Sequence, residues 1–346
     1  MRDNLQRQLD AFEAATGAPM PAAMARHALT QLLVLEKLYF EDAPTNDNTR
    51  LHDPAFWETL VHSSLHVTPS SPFPPSQAAA SVNSYDHTIG ENGFSILEPA
   101  SDHTAACRAL EVAVHLLDAA GFPPAFVFVF DEAWLLLDSL WAEIFEPLLG
   151  VGCLLEADLN CWHLQRQSPS AYIGGNFGAP HRDLAFDQCH DEDECFTSLT
   201  CWVPINRSGA TATNGCVHVV PIEHDDFFYS PHHPAHQRSM KSPSSVGLTL
   251  RAGHVATWVP SLVHWGTACD EGSESEPRMS IGATFRRSTA KRSEFVAGET
   301  PTGPQPLQRG QLAQLTLQRR LAYVAKALLA YSHWYPGMPG LHLDES

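Results

Sequence analysis

The sequence predicts an α+β chain whose core is mainly β: a closed or sandwiched antiparallel domain with helices packed around it. Three observations lead there. Eight short strand-like segments, separated by turn residues, fall between residues 153 and 287, a spacing that suits sandwiches and barrels. Apolar residues at three- and four-residue intervals mark helices before and after that stretch. Apolar residues make up 44% of the chain and charged residues 17%, which suits a packed core and argues against a disordered acidic chain.

Taken in order, residues 3–40 read as helix. Residues 42–85 are rich in Pro, Ser and Asn and read as irregular, with one helical patch at PAFWETLVHSSL (54–65). GENGFSILEP (90–99) reads as a turn and a short strand. A helix over 103–120 is stopped by Gly121 and two prolines, and AFVFVF (125–130) reads as a fully apolar strand. Residues 131–150 form another helix, with Asp131 placed to cap its start and Gly150 to end it. The strand candidates are 153–166, 178–186, 195–205, 216–222, 245–253, 254–260, 262–268 and 278–287. Two excursions interrupt them: an acidic one, DQCHDEDEC (187–195), and a loop of lid length over 224–244. Residues 311–335 form an amphipathic helix. The expected organisation is a helical and irregular cover (1–85), a β-domain with its supporting helices (86–295) and a C-terminal helix on the core (296–346).

Charge and cysteine usage narrow the function classes. The formal charge is −18, which argues against a nucleic-acid partner, because tracking phosphates needs a basic face. The first residues lack a signal-peptide apolar core, and no apolar stretch is long enough to span a bilayer, so no membrane role is expected. The eight cysteines form no CxxC and sit mainly in apolar runs. They read as reduced, buried thiols of a cytoplasmic protein.

The chemistry starts at His181-Arg182-Asp183. On a strand, residues i and i+2 share a face, so this imidazole and carboxylate can share a metal ion. His264, in LVHWG late in the domain, is the candidate second imidazole. Two His and one carboxylate on one side of a metal leave the opposite positions open, as in non-haem Fe(II) oxygenases. Arg278 follows 14 residues after His264 and starts the next strand, with Ser280 on its face. A guanidinium fork beside a hydroxyl suits a distal carboxylate. The alternatives are a core role for His264 and a surface pair of Arg278 with Glu276. PHHPAH (231–236) reads as a solvated loop because its prolines break any helical face. His190 with Asp191 and Asp193 reads as a solvated acidic loop, and RRSTAKR (286–292) as a solvated strand end.

In order and spacing, these pieces resemble the phytanoyl-CoA dioxygenase-like family of Fe(II)/2-oxoglutarate-dependent oxygenases. The pieces are GENGFSILEP (90–99), HRD (181–183), CWVPI (201–205), NGCVHVVPIEH (214–224), LVHWG (262–266) and RMS (278–280). One departure is PIEH where the family usually has PGSH, and residues 1–85 match nothing in it. The resemblance implies a double-stranded β-helix, a jelly-roll or cupin-like fold, with flanking helices. It implies Fe(II) on His181, Asp183 and His264. It also implies 2-oxoglutarate chelating that iron through its C1 carboxylate and keto oxygen, O2 as co-substrate and ascorbate as a candidate reductant. Arg278 and Ser280 would hold the far carboxylate. Trp202 would line the co-substrate pocket, and Gln165 is a weaker candidate for it. Asp183 favours hydroxylation or desaturation over halogenation, since related halogenases carry a small residue there. The primary substrate would be a small or medium-sized molecule. A CoA thioester is disfavoured by the acidic balance and only four lysines. The competing functions are an inactive binding or scaffold domain and a cupin-like metal enzyme without 2-oxoglutarate.

Overall fold

The structure is a computed structural model and describes residues 49–68, 85–164, 166–167, 179–230, 233, 242–290 and 304–331. The predicted helix over 3–40 lies outside these residues. A 3-10 turn (Thr49–His52) leads into α1 (Pro54–Leu60), which begins with proline and is capped by the Asp53 carboxylate, 3.0 Å from Ala55 N. Then come α2 (Tyr85–Asn92), β1 (Phe94–Leu97) and α3 (Thr104–Ala119). Gly121, with φ +80°, follows α3 as the sequence predicts.

The AFVFVF run is not a strand. Pro124–Val129 is a 3-10 helix, with all its residues buried except Phe126. A short apolar run suits any buried segment, and Pro123 and Pro124 preset φ for a turn. The helix predicted over 131–150 is interrupted. α4 (Asp131–Leu140) passes through a π-helical turn (Trp141–Phe145) into α5 (Glu146–Leu149), and Gly150 ends it at φ +95°. Pro147 explains the wide turn: it has no N–H to give to Glu143, and its ring crowds that carbonyl. Asp131 is not the cap; Phe130 occupies that position. Asp131 instead accepts from Thr68 N at 3.0 Å, from the Thr68 hydroxyl and from the buried Arg320.

The remaining elements are β2 (Leu154–Leu155), β3 (Asn160–His163), β4 (Arg166–Gln167), α6 (Phe186–Cys189), β5 (Ser198–Pro204), β6 (Val217–Val219), β7 (Val246–Leu248), β8 (Val255–Trp258), β9 (His264–Gly266), β10 (Cys269–Asp270), β11 (Met279–Arg286), β12 (Leu307–Gln308) and α7 (Leu317–Ala330). The predicted strand 153–166 is thus three pieces, and 178–186 forms no strand beyond a bridge at His181. The main sheet is antiparallel, in the order β1-β8-β5-β11-β2-β12, with β3 also on β11. A second antiparallel sheet runs β7-β6-β9. β4 and β10 pair in parallel, apart from both.

Alternation on the two central strands decides where the cavity lies. On β11, Ile281 and Phe285 belong to the hydrophobic core, and Phe285 stacks on Phe145 at 4.1 Å. On β5, Leu199, Cys201 and Val203 do the same. The opposite face carries Ser280, Gly282, Thr284 and Arg286 on β11, and Ser198, Thr200 and Trp202 on β5. α7 packs on the 3-10 segment at Pro124–Val129. Arg320 fastens it there by donating to Val129 O at 3.0 Å and Leu315 O at 3.1 Å, and to Asp131.

Gly282 is required by a close approach. A Cβ there would meet the Asn160 side chain, including Nδ2 at 2.6 Å. That amide also bonds Tyr331, at the end of α7, so it has little room to withdraw. Gly282→Ala is expected to destabilise the fold by about 1–3 kcal/mol, as overpacking does. The measurement is the denaturation midpoint; an unchanged value would mean that Asn160 moves freely.

Among the described residues no helix is long and apolar enough to cross a membrane. All eight cysteines are free thiols; only Cys195 is exposed.

Candidate metal centre and its cavity

His181 and His264 come from segments 83 residues apart in sequence and are joined by a reciprocal pair of backbone hydrogen bonds. His181 N donates to His264 O at 3.0 Å, and His264 N to His181 O at 2.9 Å. The chain then turns at Asp183, whose N–H donates to Pro260 O at 2.9 Å. The strand-face argument for His181 and Asp183 is therefore replaced by a bridge and a turn. The convergence is the same, because both residues are zipped onto the β8–β9 connection. Arg182 points elsewhere. It forms an ion pair with the buried Asp225 at 2.6 Å and donates to Ser261 O at 2.5 Å, which anchors the segment.

The three side chains meet. Asp183 Oδ1 lies 3.6 Å from His181 Nε2, and Asp183 Oδ2 lies 3.5 Å from His264 Nε2. All three ligand atoms lie within 4.8 Å of one another. The tautomers follow from the partners. His181 Nδ1 sits 2.8 Å from Ala179 O, and His264 Nδ1 3.0 Å from Leu262 O. A carbonyl only accepts, so each Nδ1 carries the proton and each Nε2 presents a lone pair. Two lone pairs and a carboxylate then face one point. Without a cation that arrangement is repulsive; with one it is a ligand set whose imidazoles are already oriented.

The electrostatics agree. Burial lowers the His264 imidazole below its ordinary value, with Asp183 only partly opposing it, so the ring is held neutral. Asp183 keeps 43% of its side chain exposed, so it stands at the cavity mouth, while His264 is 7% exposed and lies inside.

This cavity measures about 370 Å³ and reaches from the three ligands across the inner face of the main sheet. Trp202, on β5, lines it. Its ring centroid lies 5.1 Å from Arg278 Cζ. Arg278 immediately precedes β11 and is fully buried, which excludes the surface pair with Glu276. Burial lowers its guanidinium to about 10, so it stays charged at neutral pH. Asn214 and Gly215 set its position. Asn214 Nδ2 donates to Glu276 O at 3.0 Å, Arg278 N donates to Asn214 O at 3.1 Å, and Gly215 turns at φ +102°. Ser280 is fully buried and its hydroxyl has no hydrogen-bond partner among the described residues. Arg278 and Ser280 are not among the cavity-lining residues; they lie behind Trp202 and Trp162, whose strands flank β11. Gln165 lies outside the described residues.

Among the described residues, the acidic loop at His190 brings no second metal-ligand set together. His190 Nδ1 bonds Phe186 O at 3.0 Å and Asp191 pairs with Arg287 at 3.3 Å. Arg286 is not a solvated strand end, since it pairs with Glu156 at 2.6 Å. Of PHHPAH only His233 is described, and it stacks on Phe227. Sequence reasoning missed Asp158, Asn160, Ser198, Thr200, Trp258 and Thr284, all of which line the cavity. The alternation Ser198-Thr200-Trp202 was a usable signal, since it places three polar or aromatic side chains on one strand face.

No protein-family profile and no curated protein matches the chain. Among solved structures, the chain is similar to the non-heme alpha ketoglutarate dependent epimerase SnoN from nogalamycin biosynthesis, at 21% identity and TM-score 0.40, over 67% of this chain and 93% of that one. It is similar to HygX from Streptomyces hygroscopicus with nickel and 2-oxoglutarate bound, at 18% identity and TM-score 0.42, over 61% and 89%. It is also similar to EctD from S. alaskensis with 2-oxoglutarate and 5-hydroxyectoine, at 16% identity and TM-score 0.40, over 65% and 85%.

Proposed function

We propose that the chain is an Fe(II)/2-oxoglutarate-dependent dioxygenase of the phytanoyl-CoA dioxygenase-like kind. The two sheets are read as the halves of a double-stranded β-helix. The observation that carries the proposal is the triad: two Nε2 lone pairs and a carboxylate aimed at one point, with both Nδ1 atoms committed to carbonyls. That set suits Fe(II) with open positions on the far side. Bound iron, 2-oxoglutarate and O2 supply the oxidising chemistry; in sum, substrate C–H, 2-oxoglutarate and O2 give C–OH, succinate and CO2.

The chain's own residues supply placement. His181, Asp183 and His264 hold the metal. Arg278 offers a fork for the distal carboxylate, and the Ser280 hydroxyl, buried without a partner among the described residues, offers one hydrogen bond beside it. Trp202, against Arg278, closes that end from bulk water. Asp183 occupies the position that a halide would need, so hydroxylation or desaturation is favoured. A cavity of about 370 Å³ suits a small or medium-sized substrate better than a CoA thioester.

The test is anaerobic loading with Fe(II), then 2-oxoglutarate and O2. The expected results are one iron per chain, a metal-to-ligand charge-transfer band on adding 2-oxoglutarate, and slow succinate release without substrate. Bound iron with neither band nor succinate would instead indicate a metal enzyme without this co-substrate.

A further inference from the structure

The far end of the same cavity carries polar groups that the metal and co-substrate do not use. Strand register places them. Thr200 on β5 is opposite Trp258 on β8 and Thr284 on β11, and Ser198 is opposite Arg286. Ser280, on the co-substrate side, lies two cross-strand rows away from Thr284 along β11, about 14 Å. Thr284 Oγ1 donates to Asp158 Oδ2 at 2.9 Å. The other oxygen, Asp158 Oδ1, is buried with no partner among the described residues, and so are Thr200 Oγ1 and Ser198 Oγ. Ser198 is 2% exposed and lines the cavity.

The charges at this end are uneven. Glu156 Oε1 pairs with Arg286 Nε at 2.6 Å. Asp158 accepts from the Thr284 hydroxyl and from its own backbone N–H, with Lys326 acting on it through space. Burial and the neighbouring Glu156 push the Asp158 carboxyl up to about 6, outweighing Lys326 and the hydrogen bonds that the carboxylate accepts.

We propose that Asp158, Thr200 and Ser198 form the recognition site for a protonated amine of the primary substrate. An ammonium group has three donors, and this site offers one carboxylate oxygen and two hydroxyl oxygens without partners. An anionic group would meet Asp158 and Glu156, and a neutral hydroxyl would bring no charge opposite the Asp158 carboxylate. Thr200 is one strand spacing from Trp258 and Thr284 is two, so spacings of about 4.8 Å place the Asp158 end of the site on the order of 10 Å from the Trp258 side, where His264 lies. Trp258 and His264 rings are 5.2 Å apart. The substrate would thus carry its amine at one end and the oxidised carbon on the order of 10 Å away. The assignment of that carbon rests on the oxygenase reading; the amine site does not.

The experiment is calorimetric titration of the full-length chain, with and without Fe(II), using hexylammonium, hexan-1-ol and hexanoate as probes. Hexylammonium is expected to bind at least tenfold tighter than either other probe, in both metal states. Asp158→Asn should weaken it at least tenfold and Ser198→Ala at least threefold, while His264→Ala leaves it unchanged. Circular dichroism checks that each variant is folded, and the serine variant decides the matter if Asp158→Asn fails to fold. Equal binding of the three probes, no binding of any, or an amine affinity indifferent to these substitutions would overturn the proposal. A failure of the oxygenase reading appears separately, as loss of iron binding or succinate release with amine binding intact.

Discussion

Replacing His264 by alanine is expected to lower Fe(II) affinity by on the order of 100-fold or more, and Asp183→Ala by a comparable factor. Losing a partner outside the ligand set already costs about 10–100-fold, and in the proposed centre these residues are the ligands themselves. The fold should survive both changes. The His181–His264 bridge is made by backbone groups, and Arg182 still pins the segment to Asp225. Without metal the substitutions even remove an acceptor from a cluster of facing acceptors, so no buried charge is stranded. Fe(II) should therefore raise the melting temperature of the wild-type chain and leave that of either variant in place, because only a ligand bound to the native state stabilises it. Anaerobic competition with a chelator measures the affinity directly. Unchanged iron affinity in both variants would remove the triad from the metal site.

Arg278→Ala is expected to raise the KM for 2-oxoglutarate by about 30-fold or more, with iron affinity unaltered. Truncating one partner of a buried, hydrogen-bonded charge pair costs about 2–5 kcal/mol, which sets that scale. Arg278→Lys should recover part of the loss, because it keeps the charge and lacks the fork. kcat at saturating 2-oxoglutarate should change less than KM, since the role proposed for the residue is to bind the co-substrate at the end away from the reacting atoms. Arg278 packs against Trp202, so melting curves of both variants are needed to separate binding from folding. A KM that stays at the wild-type value in a folded Arg278→Ala chain would move the carboxylate site elsewhere.

The candidate ligands were legible because they sit in short motifs whose chemistry is local. HRD carries an imidazole and a carboxylate two residues apart, and LVHWG and RMS follow in the expected order. The reason for their convergence was not legible. The sequence suggests a common strand face for His181 and Asp183, whereas the structure uses a single bridge and a turn held by Pro260 O. The same limit applies to AFVFVF. Six apolar residues satisfy a buried strand and a buried 3-10 segment equally, and the two prolines ahead of it decided for the second. Pro147 could have warned of the π-helical turn, since a missing N–H in mid-helix always changes the bonding pattern.

By itself the sequence determined the element types that follow from periodicity, such as α3, α7 and β11, the glycine stops after α3 and α5, and the identity of the metal-ligand candidates. Each of these depends on residues within a turn or a strand length of one another. The tertiary structure alone decided what faces what. Thr284 meets Asp158 across 126 residues and Arg286 meets Glu156 across 130, and Thr200 becomes their neighbour only through the β5–β11 register. A register shift of one residue would turn all of these side chains to the other face of the sheet. The polar end of the cavity is therefore a property of strand pairing, set by contacts that no local pattern encodes.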